Sequence, residues 1–234
     1  MPICRLFCVA LIVVLAGCQS QPPQQGPVKP REFTLSDMAK GDVDMVAEVS
    51  FRQSIQYLRE LAGKLYRRNP DQLRRAAGGP LPIEQALSRL FEQRQDGGSR
   101  ANGAALIGLA FNDEFAGDRV AAFVGGLRDM LHHAYGGDGE FFMPHEYDPQ
   151  KIYHLARNFE IASWRLRNKH SAAGGLYLLS TGADEHGVTN IGFERLFGKL
   201  IGLQDHFAHV VADTTSRRIK NVFQSVASAV FFPL

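Results

Sequence analysis

His206, His209 and Asp213 recur at steps of three and four residues, the spacing that aligns side chains along one face of a helix. Two imidazoles and a carboxylate so placed could ligate zinc, which accepts nitrogen and oxygen donors in tetrahedral geometry. On the helix predicted here, however, that face lies opposite Leu200 and Phe207 and beside Arg195, so the expectation is a solvated polar face and no metal. His132, His133, His145, His154 and His186 show no ligand spacing among themselves, and Asp113, Glu114, Asp138 and Glu140 lack the alternation of a calcium loop. The run Gly192-Phe-Glu-Arg-Leu-Phe-Gly198-Lys199-Leu200 has five residues between its glycines and Leu200 where a phosphate loop carries a hydroxyl. No Gly-x-Ser-x-Gly, His-Glu-x-x-His or Ser-x-x-Lys pattern occurs. No cofactor is expected and no catalytic residue is assigned. Glu160, Glu194 and His209 are the first candidates for acid–base chemistry, because they fall on helix faces among aromatic or polar residues.

Two surfaces suggest contact rather than catalysis. Tyr153, Arg157, Glu160 and Trp164 follow at steps of four, three and four, and aromatics flanking an arginine are enriched at binding hot spots. The plainer expectation is that Trp164, the sole tryptophan, covers the edge of the core. Gly198 and Gly202 form a Gly-x-x-x-Gly pair in a predicted helix, on the face away from its apolar stripe. An interior helix glycine costs about 1 kcal/mol relative to alanine, so the pair asks for a reason. Close approach of another backbone is one, within the fold first and from a partner second. Gly125-Gly126 raises the same question and invites the same internal answer.

The elements that must position these residues are helical nearly throughout. Phe51, Ile55, Leu58, Ala62 and Leu65 form an amphipathic stripe, which Asn69-Pro70 ends. A second helix starts near Pro82 and carries Ile83, Ala86, Leu87, Leu90 and Phe91. Residues 95 to 103 read as a loop, and Ala104 to Phe111 is an apolar run whose period does not distinguish helix from strand. Asp118 caps a third helix, which stops at Gly136-Gly137. Asp148-Pro149 opens a fourth, with Ile152, Leu155, Phe159, Ala162 and Leu166 on its buried face. Leu176 to Leu179 is a short strand or a buried extended stretch. A fifth helix covers Ile191 to Thr214 and a sixth Arg217 to Val230, and the apolar stretch Ser225 to Leu234 is expected to dock into the core, with a lipid-facing or partner-facing tail as the alternative. The expected fold is therefore an all-α single domain of five to seven helices spanning residues 33 to 234.

Ahead of that domain stands a different kind of segment. Arg5 precedes an apolar stretch from Leu6 to Leu15, and Leu15-Ala16-Gly17-Cys18 closes it with small residues and a cysteine. The layout is that of a secretory signal over residues 1 to 17. Its end is similar to the lipobox of bacterial lipoproteins, which implies that the Cys18 thiol is acylated and the signal removed. One acyl chain holds a protein marginally, whereas two or more hold it stably, so the lipid bilayer is the first expected partner. Gln19, where aspartate would favour inner-membrane retention, points to the outer membrane. Residues 18 to 32 carry Pro22, Pro23, Pro27 and Pro30 and form a disordered tether. At about 3.1 Å per residue it reaches at most roughly 45 Å. Cys4 and Cys8 fall in the discarded signal, so no disulfide or thiol is expected in the mature chain. Lys and Arg number 26 and Asp and Glu 24, a near-balance that argues against nucleic acid.

Gly117-Asp118-Arg119-Val120-Ala121-Ala122-Phe123-Val124, Arg157-Asn158-Phe159-Glu160-Ile161-Ala162 and Phe193-Glu194-Arg195-Leu196-Phe197-Gly198-Lys199-Leu200 resemble segments of a group of uncharacterised proteobacterial lipoproteins. The resemblance covers most of residues 45 to 234 and implies lipidation, with no substrate or catalytic residue. The leading expectation is a non-enzymatic, periplasm-facing lipoprotein of the outer membrane whose body docks with another envelope protein. Alternatives are a periplasmic hydrolase of cell wall or lipid, and a carrier of an apolar ligand. Converging ionisable groups in a cleft would favour the hydrolase, a greasy cavity the carrier, and a filled core with an exposed patch the scaffold.

Overall fold

The computed structural model describes residues 41–76, 79–92, 102–136, 147–182, 189–216 and 231–234. The signal, Cys18, the tether and the expected sixth helix lie outside the described residues, as do His145, His186, Asp138 and Glu140. Seven helices and no strand occur among the described residues. They are α1 (Asp42–Arg68), α2 (Pro70–Arg75), α3 (Ile83–Phe91), α4 (Gly103–Ala110), α5 (Arg119–Ala134), α6 (Pro149–Asn168) and α7 (Gly192–Thr215). The all-α expectation holds.

Local chemistry explains where these helices begin and end. Asp44 reaches back to accept from the Gly41 N–H at 3.0 Å, and acidic residues at the start of α1 with Arg67 and Arg68 at its end complement the helix dipole. Asp118 caps α5 by accepting from the Ala121 N–H at 2.9 Å, and Asp148 caps α6 by accepting from Gln150. One reading gains an addition and another needs correction. Asn69-Pro70 ends α1 as expected, but Pro70 then opens the short helix α2, since its fixed φ and missing N–H suit a first helical position. The loop expected through residue 103 gives way at Asn102, whose side chain accepts from the Ala104 N–H and starts α4. That cap makes the undecided run a helix over Gly103–Ala110, with Phe111 capping its end.

Burial follows the apolar stripes. Leu58, Leu61 and Leu65 of α1, Phe123 and Leu127 of α5, Phe159 of α6, and Phe193, Leu200 and Phe207 of α7 are fully or almost fully enclosed in one core. The closest pairings are α4 with α5 and α6 with α7, and α1 packs against α7 and α5. A polar chain threads this core. Tyr135 donates to Gln204 Oε1 at 2.8 Å, Gln204 donates to Ser54 Oγ at 2.8 Å, and Ser54 donates to the Ser50 carbonyl. Each link satisfies a group that burial would otherwise penalise. Burial first, then Tyr147, pushes the Tyr135 hydroxyl far above its ordinary pKa, so it stays a donor.

Extended segments are pinned by two asparagines in the same way. Asn69 accepts from the Leu179 N–H and donates to the Leu179 carbonyl, both at 2.8 Å. Asn158, fully buried, accepts from the Phe232 N–H at 2.7 Å and donates to the Phe232 carbonyl at 3.0 Å. Leu176 to Leu179 thus resolves as an extended stretch with a lone bridge to His170 and a buried Leu178. Of the apolar tail, residues 225 to 230 lie outside the described residues, and Phe231 and Leu234 pack against the core. Arg119 is another anchor, its guanidinium donating to the carbonyls of Ala110, Asn112 and Phe115. That fork holds the α4–α5 connection.

Candidate functional site

The two surfaces singled out in the sequence meet on one seam. Arg157 of α6 donates to Asp205 Oδ2 of α7 at 2.7 Å, and Arg167 of α6 lies 3.5 Å from Glu194 of α7. These pairs lie in opposite order along the two helices, Arg157 before Arg167 but Asp205 after Glu194, so α6 and α7 run antiparallel. Between them runs a groove of about 590 Å³, whose walls include Glu160, Trp164 and Ser163 from α6 and Phe197, Gly198 and Ile201 from α7. Trp164 is half-buried, so it is both an edge of the core and a wall of the groove.

Gly198 and Gly202 correct an expectation. A Cβ at either position would meet nothing within 4 Å, so neither glycine serves internal packing. They leave open surface instead, Gly198 in the groove that Trp164 walls. The internal close approach occurs elsewhere: a Cβ on Gly126 would lie 2.5 Å from the Gly103 carbonyl oxygen, and a Cβ on Gly103 2.5 Å from that of Gly126. The internal reading thus applies to Gly126, whereas Gly125 meets only a Leu90 methyl at 3.7 Å.

At the Arg157 end the charges are crowded. The Nη2 atom that reaches Asp205 also lies 3.1 Å from Glu160 Oε1, and the guanidinium sits 4.7 Å over the Tyr153 ring. Burial pulls the Arg157 pKa down, but Asp205 and then Glu160 outweigh it and hold the guanidinium above its usual value. Burial raises the Glu160 carboxyl above the ordinary carboxylate range; Arg157 opposes this and Asp205 adds to it. Arg157 Nε and Asp205 Oδ1 are enclosed without a hydrogen-bond partner. At the other end, Glu194 accepts from Thr181 Oγ1 at 3.2 Å. The groove is therefore apolar in the middle and charged at both ends.

Of the acid–base candidates, Glu160 and Glu194 line this groove, while His209 is exposed elsewhere on α7. His206 and Asp213 are exposed as well, and no group of three metal-ligating side chains converges among the described residues. Asp205 and Arg167 were not singled out in the sequence. The available signal was positional: Asp205 follows Gly198 and Ile201 at steps of three and four, on the same face of α7. A second cleft, of about 610 Å³, opens between Asp129 and His133 of α5, Asn102, and the tail at Phe231 to Leu234. His133 Nε2 lies 3.2 Å from the Leu234 carbonyl there.

No protein-family model, curated protein or solved structure matches this chain. The resemblance to a lipoprotein group gains nothing from these comparisons.

Proposed function

We propose that this chain is a lipoprotein held in the outer membrane by acylated Cys18, and that its helical body engages another envelope component without catalysis. The observation that carries the contact role is the convergence of Glu160, Trp164, Arg167 and Gly198 on one open groove over a filled core. Hot spots favour such aromatic and arginine clusters with an apolar centre and a polar rim. The anchoring role rests on Leu15-Ala16-Gly17-Cys18. Among the described residues no helix is long and apolar enough to cross a membrane, and the proposed anchor is covalent.

Membrane fractionation tests the anchor. Cys18→Ser is expected to move the protein out of the outer-membrane fraction or to leave the unprocessed precursor. Unchanged recovery with the outer membrane rejects the lipoprotein reading.

One observation favours the second reading, a hydrolase. Burial raises the Glu160 carboxyl above the ordinary carboxylate range, Arg157 opposes this and Asp205 adds to it, and an upward shift is the direction a general acid needs. Turnover of purified cell-wall or lipid substrate by the parent, lost in Glu160→Gln, would select it. A carrier would need a greasy cavity, and both clefts here have charged or polar rims.

A further inference from the structure

We infer that the end of the molecule where α1 stops and α7 starts docks on an anionic phospholipid surface, with Leu179 and Ile191 entering the headgroup layer and arginines meeting its phosphates. This goes beyond the contact role given to the groove. The two apolar tips are held in place by the backbone around them. Asn190 Oδ1 caps α7 by accepting from the Gly192 N–H at 2.9 Å, so Ile191 has no capping role. At 67 % it is the most exposed large apolar side chain among the described residues. Leu179 is 49 % exposed although its neighbour Leu178 is buried, and the Asn69 clamp on its peptide groups fixes that orientation. The Asn190 N–H donates to the Gly182 carbonyl at 2.9 Å, which ties the two segments together. A single exposed leucine needs no explanation. Two neighbouring tips on pinned backbone, ringed by cations, have the make-up of an interfacial membrane anchor.

The cations come from three helices. A Cβ on Gly182 would lie 3.1 Å from Arg68 Nη2, and one on Gly192 3.0 Å from Lys64 Nζ, so the last turns of α1 reach both segments. Arg195 stands one turn beyond Ile191 and donates its N–H to the Ile191 carbonyl. Lys169 follows Arg167, which lies against Glu194 of α7. Arg67, Arg68, Lys169 and Arg195 are exposed, and none is paired with a carboxylate among the described residues. Lys64 and Arg167 are matched by Glu60 and Glu194. Residues 183 to 188, outside the described residues, carry Asp184 and Glu185. Four unpaired cations against those two carboxylates still leave positive charge in excess. The other end of α1 carries Asp42, Asp44 and Glu48. Because Lys64 meets Gly192 while Ser54 meets Gln204, α1 and α7 run antiparallel and Asp213 falls toward that acidic end. A chain of near-zero net charge is thus segregated along its length, and an anionic bilayer attracts one end and repels the other. Guanidinium groups suit phosphate, and the apolar tips favour a bilayer over a nucleic acid, which offers no apolar layer to enter. The anchor permits this pose. The 23 residues from Cys18 to Gly41 reach at most about 70 Å, whereas α1, with 27 residues, is about 40 Å long.

The test uses the full chain carrying Cys18→Ser, which has no acyl group, and vesicles of phosphatidylglycerol mixed with phosphatidylcholine or of phosphatidylcholine alone. Each further variant is made in this background, so any contribution of residues 1 to 17 is common to all. Co-sedimentation is expected to show binding at least about tenfold tighter to the anionic vesicles, weakening as salt rises. Arg67→Gln with Arg68→Gln should reduce it by about 25-fold, at about fivefold per cation. Ile191→Asp should reduce it by about tenfold or more with the melting temperature unchanged, whereas Val49→Asp, at the acidic end, should bind like the parent. Equal binding to both vesicle types, parent-like binding by folded Ile191→Asp, or an equal loss in Val49→Asp overturns the inference. Photo-cross-linking from position 191 in isolated outer membranes that captures a protein, with no vesicle binding, also overturns it and gives this end to a protein partner. Fractionation of the lipidated parent in about 0.5 M salt separates this inference from the anchor, since screening releases a docked surface but not an acyl chain. Failure of vesicle binding therefore leaves the anchor standing, and a parent that salt strips from the membrane keeps the docking and rejects the anchor.

Discussion

Asp118 shows how much one side chain can carry. Its Oδ1 caps α5, and its Oδ2 accepts from the Tyr66 hydroxyl of α1 at 2.7 Å. Burial raises its carboxyl above the ordinary 3.8, and hydrogen bonds from Ala121, Tyr66 and Val120 pull part of the way back. A carboxyl whose folded pKa exceeds its unfolded one binds its proton more tightly in the native state. Its contribution to stability is therefore fully present below the unfolded pKa and is lost as pH rises through the folded value. Asp118→Asn retains a capping oxygen and removes that titration. The melting temperature of the parent relative to Asp118→Asn should fall as pH rises from about 4 to 7. Calorimetry on both proteins checks this, and a constant difference would contradict it. The cap was legible in the sequence because aspartate ahead of an apolar period has one main use. Its tyrosine partner was not, since 52 residues separate them and spacing says nothing about pairs between helices.

Helix pairs make the same point with glycine. Gly-x-x-x-Gly draws the eye to Gly198 and Gly202, yet the pair that lets two backbones meet is Gly103 with Gly126, which sit in α4 and α5. A motif within one helix is visible as spacing, whereas complementarity between two helices is not. Gly126→Ala should cost about 1–3 kcal/mol or more, because the new methyl faces a fixed carbonyl rather than a flexible side chain. Gly198→Ala should instead raise stability by up to about 1 kcal/mol. Denaturant unfolding of both variants checks the contrast, and equal signs would refute the assignment of the two glycines. Helix α4 itself hid for a related reason. Eight nearly uniform apolar residues carry no period, and only its asparagine cap marks the start.

Across the whole molecule, the end of the chain is tied back to the middle. Besides the Asn158 clamp, His154 stacks on Phe232 at 5.1 Å and shares its Nδ1 with the Pro233 carbonyl, which only accepts, so that nitrogen carries the proton. Arg165 lies 4.3 Å over the Phe231 ring. Apolar composition made docking of this tail foreseeable, but a carboxamide gripping one peptide unit leaves no trace in periodicity. Asn158→Ala should cost about 1–3 kcal/mol. Removal of residues 231 to 234 should also destabilise, and the two changes together should cost much less than their sum, since they delete one interaction. A full sum in chemical denaturation would mean that the clamp and the tail act separately.

The tight α4–α5 contact also has a chemical lifetime. Its first residue follows Asn102, and an asparagine ahead of glycine is open to attack on its carboxamide carbon by the next backbone nitrogen, which expels ammonia and closes a succinimide ring that water then opens to an aspartyl or isoaspartyl link. While α4 is folded, Asn102 Oδ1 is held 2.9 Å from the Ala104 nitrogen, and the carboxamide is not free to swing toward Gly103. Unfolding removes that protection. The isoaspartyl product would add a methylene to the backbone beside Gly103, where the approach to Gly126 leaves no room for it. Covalent ageing at Asn102 is thus governed by how rarely α4 opens, and a molecule that ages to isoaspartate while open loses the geometry needed to close again.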